Sequence, residues 1–350
     1  MFLAFFSIFQ DWTTVYDGYY VEQPETRITP LLNINFLTSL LFIAAFGFIN
    51  FLNRNKNYSH AFILKKRFSK IIYFSIPAML FITIYYAFRM EIANYWDQLY
   101  IDSALSINSE SDQYYNFYRN YDISHFKTIW IIDYSLLFVS VLSFLNTRKL
   151  QDKKVGLITF SLIAFTMLVF LTQGLYAFSE LRETYLDQSL LEYYKSGVFN
   201  IGIRYVSFVF IAITLFMCYK ATRQKFMHRN FKKIFDFILH ISTIWIFSSE
   251  LINWMDIAEY KESYKLGLSI LWGVYSLLLI VLGIWKNKKH LRVGAIILFG
   301  ITLIKLFLYD ISHLNTIAKT IVFVSLGILL LIISFLYNKN KHIISDEIEN

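Results

Sequence analysis

The sequence predicts an all-α fold, a polytopic transmembrane helix bundle, and two features carry this prediction. Of the 350 residues, 56% are hydrophobic and 19% aromatic, which is more apolar surface than a soluble domain of this length buries. Long apolar runs are separated by loops that alternate between Lys/Arg-rich and Asp/Glu-rich from residue 30 to the C-terminus. Such alternation is typical of a chain threaded repeatedly through a membrane.

Nine apolar runs approach the roughly 20 residues that a helix needs to cross a bilayer. Pro77 lies inside the second run and predicts a kink there, which membrane helices tolerate when neighbouring groups satisfy the freed carbonyl. The nine predicted spans are Leu31–Leu52, Phe68–Phe88, Thr128–Leu145, Val155–Phe178, Asn200–Tyr219, Ile234–Asn253, Leu266–Trp285, Leu291–Tyr309 and Thr316–Tyr337.

The charge alternation also predicts an orientation, because cytoplasmic loops of membrane proteins carry an excess of Lys and Arg. The basic loops and the C-terminus are expected in the cytoplasm, and the acidic loops on the outer side. This divides the chain into an apolar stub with an acidic outer segment (1–30), a transmembrane bundle (31–337) with outer amphipathic loops (89–127, 179–199, 254–265), and a cytoplasmic tail (338–350).

The first ten residues form an apolar run about half as long as a membrane span. The run lacks a basic start and a small-residue cleavage site, so it does not read as a signal peptide. Two interpretations stay open. The run lies in the membrane interface, or it is the outer half of a helix whose inner half is lost, in which case the chain is a truncated or split form of a longer protein.

A repeated motif suggests how the bundle is built. Tyr86-Ala87-Phe88, followed by Tyr, Asp and Gln at fixed spacing, recurs 90 residues later from Tyr176. Each copy falls where a predicted helix leaves the outer face and continues as an acidic, aromatic segment. The copies predict parallel helix-hairpin repeats related by an axis along the membrane normal. The alternative is that every exiting helix simply needs an aromatic belt and an acidic flank.

Five charged residues fall within or at the outer ends of the predicted spans, where charges are costly and usually face the protein interior. If they converge, they line an outward-facing cavity that binds a charged, hydroxylated or lipid-linked ligand. The alternative is that they form ion pairs between helices, with Lys305 reaching out to the interface. The five ligand-binding candidates are Asp133, Arg204, Glu250, Lys305 and Asp310.

The sequence offers little other chemistry. Asp236 and His240 share one face of the sixth span, which suits a proton relay, half of a metal site or a structural pair. The single cysteine, Cys218, excludes an intramolecular disulfide and a thiolate cluster. We find no catalytic motif, no cofactor-binding motif and no metal-site motif, and the scattered positive charge does not suit nucleic acid. The large outer loop, with Asp97 and Asp102, leaves a membrane glycosyltransferase or ligase open.

The last stretch of the chain carries a recognisable pattern. Leu291-Arg292-Val293-Gly294 precedes a core from Leu303 to Leu314 that reads Leu-Ile-Lys-Leu-Phe-Leu-Tyr-Asp-Ile-Ser-His-Leu, and Ser334-Phe335-Leu336-Tyr337 follows. This resembles the C-terminal part of a bacterial family of predicted polytopic membrane proteins, domain of unknown function 2339. The resemblance covers roughly the last 90 residues well and implies a bacterial inner-membrane protein. It supplies no activity, but it places Lys305 and Asp310 inside the family's core motif.

Three functions are therefore considered. The first is a transporter, or a component of an envelope-handling system, that binds a polar or lipid-linked ligand on its outer side and contacts membrane lipids. The second is a non-catalytic scaffold or assembly subunit of a bacterial envelope complex, with an envelope partner or separately encoded upstream spans. The third is the glycosyltransferase or ligase. The sequence leans toward a protein without enzymatic activity.

Overall fold

The computed structural model describes residues 2–16, 19–20, 24–54, 66–107, 116–188, 193–227, 230–260, 264–306 and 316–339. Nearly all of these residues are helical, which confirms the all-α fold class. A 3₁₀ turn covers Pro24–Thr26, and two π-helical segments cover Asn146–Leu150 and Phe170–Gly174. The α-helices are α1 Phe2–Val15, α2 Ile34–Arg54, α3 Lys66–Asp102, α4 Tyr121–Leu145, α5 Lys153–Val169, α6 Leu175–Asp187, α7 Phe199–Thr222, α8 Asn230–Ile257, α9 Tyr264–Trp285, α10 Lys289–Lys305 and α11 Thr316–Lys339.

Within the described residues, seven helical stretches are long and apolar enough to cross a membrane. They correspond to the first seven predicted spans, so the polytopic architecture is confirmed for that part of the chain. The eighth and ninth predicted spans coincide with α10 and α11, of which α10 has 17 described residues and α11 a shorter apolar core, Lys319–Ile332. The total of nine spans therefore stays a prediction, as do the parallel repeats.

The chain forms two compact units. Unit 1 comprises Met1–Val141 and Tyr176–Ile211, and unit 2 comprises Leu142–Leu175 and Ala212–Asn350. Each unit has its own packed interior.

In unit 1, the short N-terminal helix α1 packs against α2 and α3. Ile8 and Trp12 of α1 share a buried cluster with Phe36 of α2 and Ala87 of α3. The Trp12 indole N–H also donates to the Ser39 hydroxyl at 2.9 Å. The half-length apolar run of the sequence is therefore a helix held by tertiary contacts, because 14 residues alone are marginal as an isolated helix.

Two short strands complete unit 1. β1 (Leu105–Ile107) pairs antiparallel with β2 (Asn116–Tyr118), and Leu105 lies opposite Tyr118. The Tyr194 hydroxyl donates to the carbonyls of Ser103, at 2.8 Å, and of Tyr118, at 2.9 Å, so the segment before α7 is fixed to this hairpin. Burial raises the pKa of the Tyr194 phenol above its ordinary value.

In unit 2, α9 and α10 pack closely because a glycine lies at their contact. A Cβ added at Gly283 of α9 would lie 2.7 Å from Arg292 Cγ and 3.0 Å from Arg292 N of α10. Tyr275, Leu279 and Ile280 of α9 share a buried cluster with residues of α10. The α4–α5 connection in the same unit is held by Asn146, whose side-chain amide bonds both the N–H and the carbonyl of Asp152 at 3.2 Å.

Candidate functional site

Asp133 on α4 carries a deeply buried carboxyl, since only 1% of the residue is exposed. Its Oδ2 accepts a hydrogen bond from the Ser207 hydroxyl of α7 at 2.8 Å. Its Oδ1 is buried and has no hydrogen-bond partner within the described part of the chain. A buried oxygen without a partner costs about 1–3 kcal/mol, so this carboxyl is a strong candidate for contact with a ligand or a proton.

Arg204 brings the opposite charge into the same unit. It lies three residues before Ser207, on the same face of α7, and its side chain is 2% exposed. The guanidinium carbon lies 5.5 Å from the ring centroid of Phe178 on α6. The structure therefore places two of the five predicted residues, Asp133 and Arg204, in the buried interior of unit 1, on helices joined by the Asp133–Ser207 hydrogen bond.

Glu250 and Lys305 lie in unit 2. The Lys305 ammonium, at the end of α10, donates to the Lys265 carbonyl and to the Ser269 hydroxyl of α9, both at 2.9 Å. Glu250 lies on α8, and its neighbours along the chain contact α9. Ser248 accepts a hydrogen bond from Trp272 of α9. Leu251 lies against Gly267 of α9. Glu250 and Lys305 thus belong to helices packed on the first half of α9.

The fifth candidate, Asp310, lies outside the described residues. The structure groups Asp133 with Arg204 in unit 1, and Glu250 with Lys305 in unit 2. A single site formed by all five residues stays a prediction.

A carboxylate that the sequence placed in an outer loop is the most richly bonded one in unit 1. Glu91 of α3 is 3% exposed and accepts from the Tyr16 hydroxyl, the Leu31 backbone N–H and the Asn33 amide. Burial, and then the hydrogen bond to Glu91, raise the pKa of the Tyr16 phenol above its ordinary value. No local sequence pattern predicts this network, since its members are separated by up to 75 positions.

Asp236 and His240 of α8 each have a different partner. Asp236 Oδ2 accepts from the Lys288 ammonium at 2.5 Å and lies 2.8 Å from His290 Nε2. His240 Nδ1 lies 2.9 Å from the Tyr275 hydroxyl of α9. The described residues contain no group of three or more His, Cys, Asp or Glu side chains that could hold a metal ion.

The two carboxylates considered for a glycosyltransferase are also engaged. Asp97 accepts from the Lys127 ammonium at 2.6 Å, and Asp102 lies 3.3 Å from the Arg27 guanidinium and accepts from the Tyr19 hydroxyl. Asp97 therefore links α4 to α3, and Asp102 links the segment before α2 to α3. Neither arrangement resembles a pair of catalytic carboxylates facing a substrate.

The apolar spanning helices and their buried polar groups define a multi-pass α-helical membrane protein. The chain belongs to the family described as predicted membrane protein (DUF2339), whose model matches residues 113–340. The match covers nearly two thirds of the chain and extends well upstream of the C-terminal motif. No curated protein and no solved structure matches the chain significantly.

Proposed function

We propose that this protein binds or transports a polar or lipid-linked ligand, and that Asp133 and Arg204 form the polar core of its binding site. The observation that carries the proposal is the buried Asp133 Oδ1, which has no hydrogen-bond partner in the described residues. Intramembrane ionisable groups are expensive and usually mark substrate, ion or proton pathways. A ligand hydroxyl, amine or amide would supply the missing donor.

The neighbouring groups fit such a ligand. Ser207 holds one oxygen of Asp133 at 2.8 Å, which orients the carboxyl and leaves Oδ1 to face a second donor. Arg204, the cation predicted for the same site, lies three residues before Ser207 on α7. A headgroup with a hydroxyl, amine or amide donor would therefore meet a carboxyl oxygen that is already oriented by α7.

We place the protein in a bacterial inner membrane, with its basic loops and its C-terminus in the cytoplasm. The distribution of charge along single helices supports this orientation. The spanning stretch Lys153–Asp187 begins with Lys153 and Lys154 and ends with Glu183 and Asp187. Positive charge is retained on the cytoplasmic side of inner-membrane proteins.

A second candidate is a non-catalytic scaffold or assembly subunit of an envelope complex. It is favoured by the charged groups of unit 2 that already hold helices together, namely Asp236 with Lys288 and His290, and Lys305 with Ser269. If Asp133 and Arg204 serve the same purpose, no ligand is required. An envelope partner or separately encoded upstream spans would then be the functional contact.

Native mass spectrometry of the full chain in nanodiscs made from bacterial polar lipids separates the two candidates. We expect the wild type to retain a polar or lipid-linked species, and Asp133→Asn to lose it roughly tenfold, because a charged hydrogen bond is replaced by a weaker neutral one. Glu183→Gln, which removes an exposed carboxylate on α6, is the matched control. Equal retention by all three proteins, or equal loss of folded protein, would favour the scaffold.

A further inference from the structure

The C-terminal ends of α4 and α7 lie side by side in unit 2. The Ser143 hydroxyl of α4 donates to the Met217 carbonyl of α7 at 3.4 Å. A cation follows this contact on each side. Arg148 lies five residues after Ser143, just beyond α4, and Lys220 lies three residues after Met217, on α7. A basic cluster therefore sits at one end of a pair of neighbouring membrane helices.

Arg148, Lys220 and also Arg223, which directly follows α7, each lie near an aromatic ring four residues earlier in the chain. Arg148 lies 6.0 Å from the Phe144 ring centroid, Lys220 lies 5.9 Å from that of Phe216, and Arg223 lies 4.3 Å from that of Tyr219. The rings of Phe144 and Phe216 belong to residues that are 39% and 57% exposed, so they face the surroundings of the helices rather than a protein interior. Stacked in this order, apolar ring and then cation, the groups match the acyl and headgroup levels of one lipid leaflet.

The α4 side of the cluster is held rigidly. Arg148 lies in the π-helical segment Asn146–Leu150, where Asn146 and Thr147 are buried and Asn146 bonds both backbone groups of Asp152. Asp152 in turn caps α5 by accepting from the N–H groups of Lys154 and Val155. A headgroup that binds Arg148 therefore meets a cation whose backbone is already ordered, which reduces the entropic cost of binding.

We propose that the α4–α7 basic patch, made of Phe144, Arg148, Phe216, Lys220 and Arg223, binds an anionic phospholipid. The phosphate would lie between Arg148 and Lys220, with an acyl chain along Phe144 and Phe216. Charge complementarity favours an anionic over a zwitterionic lipid, since each basic residue near the headgroup level adds attraction for negative charge. This site is independent of Asp133 and Arg204, so it stands or falls apart from the proposed function.

The test uses the full chain in mixed micelles that contain phosphatidylglycerol and phosphatidylcholine with the same acyl chains, read by native mass spectrometry. We expect the wild type to retain phosphatidylglycerol in preference, and Arg148→Gln with Lys220→Gln to lower that retention roughly tenfold. Lys153→Gln with Lys154→Gln is the matched control, because it removes two exposed cations from the same end of the bundle. The control should keep the preference.

Two further arms separate a lipid site from a site for free anions. Phe144→Ser with Phe216→Ser should weaken lipid retention several-fold, and millimolar inorganic phosphate should fail to displace the lipid. Displacement by inorganic phosphate, together with no effect of the aromatic changes, would show a free-anion site and overturn the proposal. Equal loss of phosphatidylglycerol retention in the Arg148/Lys220 and Lys153/Lys154 double variants would also overturn it, because the effect would then be one of general charge. So would unchanged retention in both double variants.

Discussion

At the scale of single residues, unit 1 shows that a buried carboxylate in this chain has two very different surroundings. Glu91 accepts from three separate donors, and its role is to fix the chain before α2 onto α3. Asp133 accepts from one donor and leaves its second oxygen without a partner in the described residues. Equal burial therefore does not mean equal function. The completeness of the hydrogen bonding is what distinguishes a structural carboxylate from a candidate ligand contact.

The change Glu91→Gln tests the structural half of that distinction. The new amide NH₂ would face donors that need an acceptor, so we expect unit 1 to lose about 1–3 kcal/mol of stability. Thermal unfolding in detergent and hydrogen exchange of residues 24–33 should both report the loss. The exposed change Glu183→Gln should leave both unaltered, and an unchanged unfolding temperature in Glu91→Gln would show that the network contributes nothing net.

In unit 2, Asp236 plays the corresponding structural role toward the α9–α10 turn. Its side chain is 10% exposed and meets Lys288 and His290, whose own side chains are about one-third exposed. We expect Asp236→Asn to destabilise the protein by about 1–2 kcal/mol, less than a fully buried pair would cost, because solvent screens the two cations. Unfolding measurements should show this loss while Asp187→Asn, an exposed carboxylate on α6, shows none.

At the scale of helices, close approach is set by small residues as well as by polar bonds. Gly283 is the clearest case, since any Cβ there would lie within 3.0 Å of the backbone of α10. By contrast, Gly294 of α10 has open space at its Cβ position. The same substitution at these two glycines therefore has opposite expected effects, although both lie inside apolar helices.

We predict that Gly283→Ala destabilises the α9–α10 pair by about 1–3 kcal/mol, because the helices must separate to admit the methyl group. Gly294→Ala should instead stabilise α10 by about 0.5–1 kcal/mol, because alanine loses less conformational entropy in a helix. Thermal unfolding of the two variants and the wild type should show a lower unfolding temperature for Gly283→Ala and a higher one for Gly294→Ala. A neutral or stabilising Gly283→Ala would mean that the contact is loose enough to absorb a methyl group.

The helices were largely predictable from the sequence, and their partners were not. Apolar runs of span length locate the seven spanning stretches, because the bilayer demands length and hydrophobicity from each helix by itself. The ends of several helices lie beyond the predicted spans, since α4 begins at Tyr121 and α6 continues to Asp187. The bonds that hold the helices, such as Tyr16 to Glu91 or Lys288 to Asp236, join residues 75 and 52 positions apart and leave no local pattern. The predicted span ended at Phe88, with 89–127 as an outer loop, whereas α3 continues as one helix to Asp102 and also packs against α1 through Ala87.

At the scale of the whole molecule, the described candidate residues fall into two groups, one in each unit. Intramembrane charge alone was enough to single out Asp133 and Arg204, and both are buried in unit 1. Ser207 bonds Asp133, and Phe178 lies beside Arg204. Apart from helical spacing, no sequence pattern predicts either contact. Glu250 and Lys305 lie on helices packed against α9 in unit 2. Function in this family is therefore best sought in experiments that treat the two groups separately.

Orientation is the property of the whole chain that the loop charges predict most directly. In a Cys218→Ser background, single cysteines at Lys154 and Glu183 would mark the two ends of the spanning stretch Lys153–Asp187. If the basic loops are cytoplasmic, a membrane-impermeant thiol reagent added to intact spheroplasts should label Glu183→Cys several-fold more than Lys154→Cys. Permeabilised membranes supply the control, because both cysteines should then react. Preferential labelling of Lys154→Cys in intact spheroplasts would reverse the orientation and place the α4–α7 basic patch in the outer leaflet.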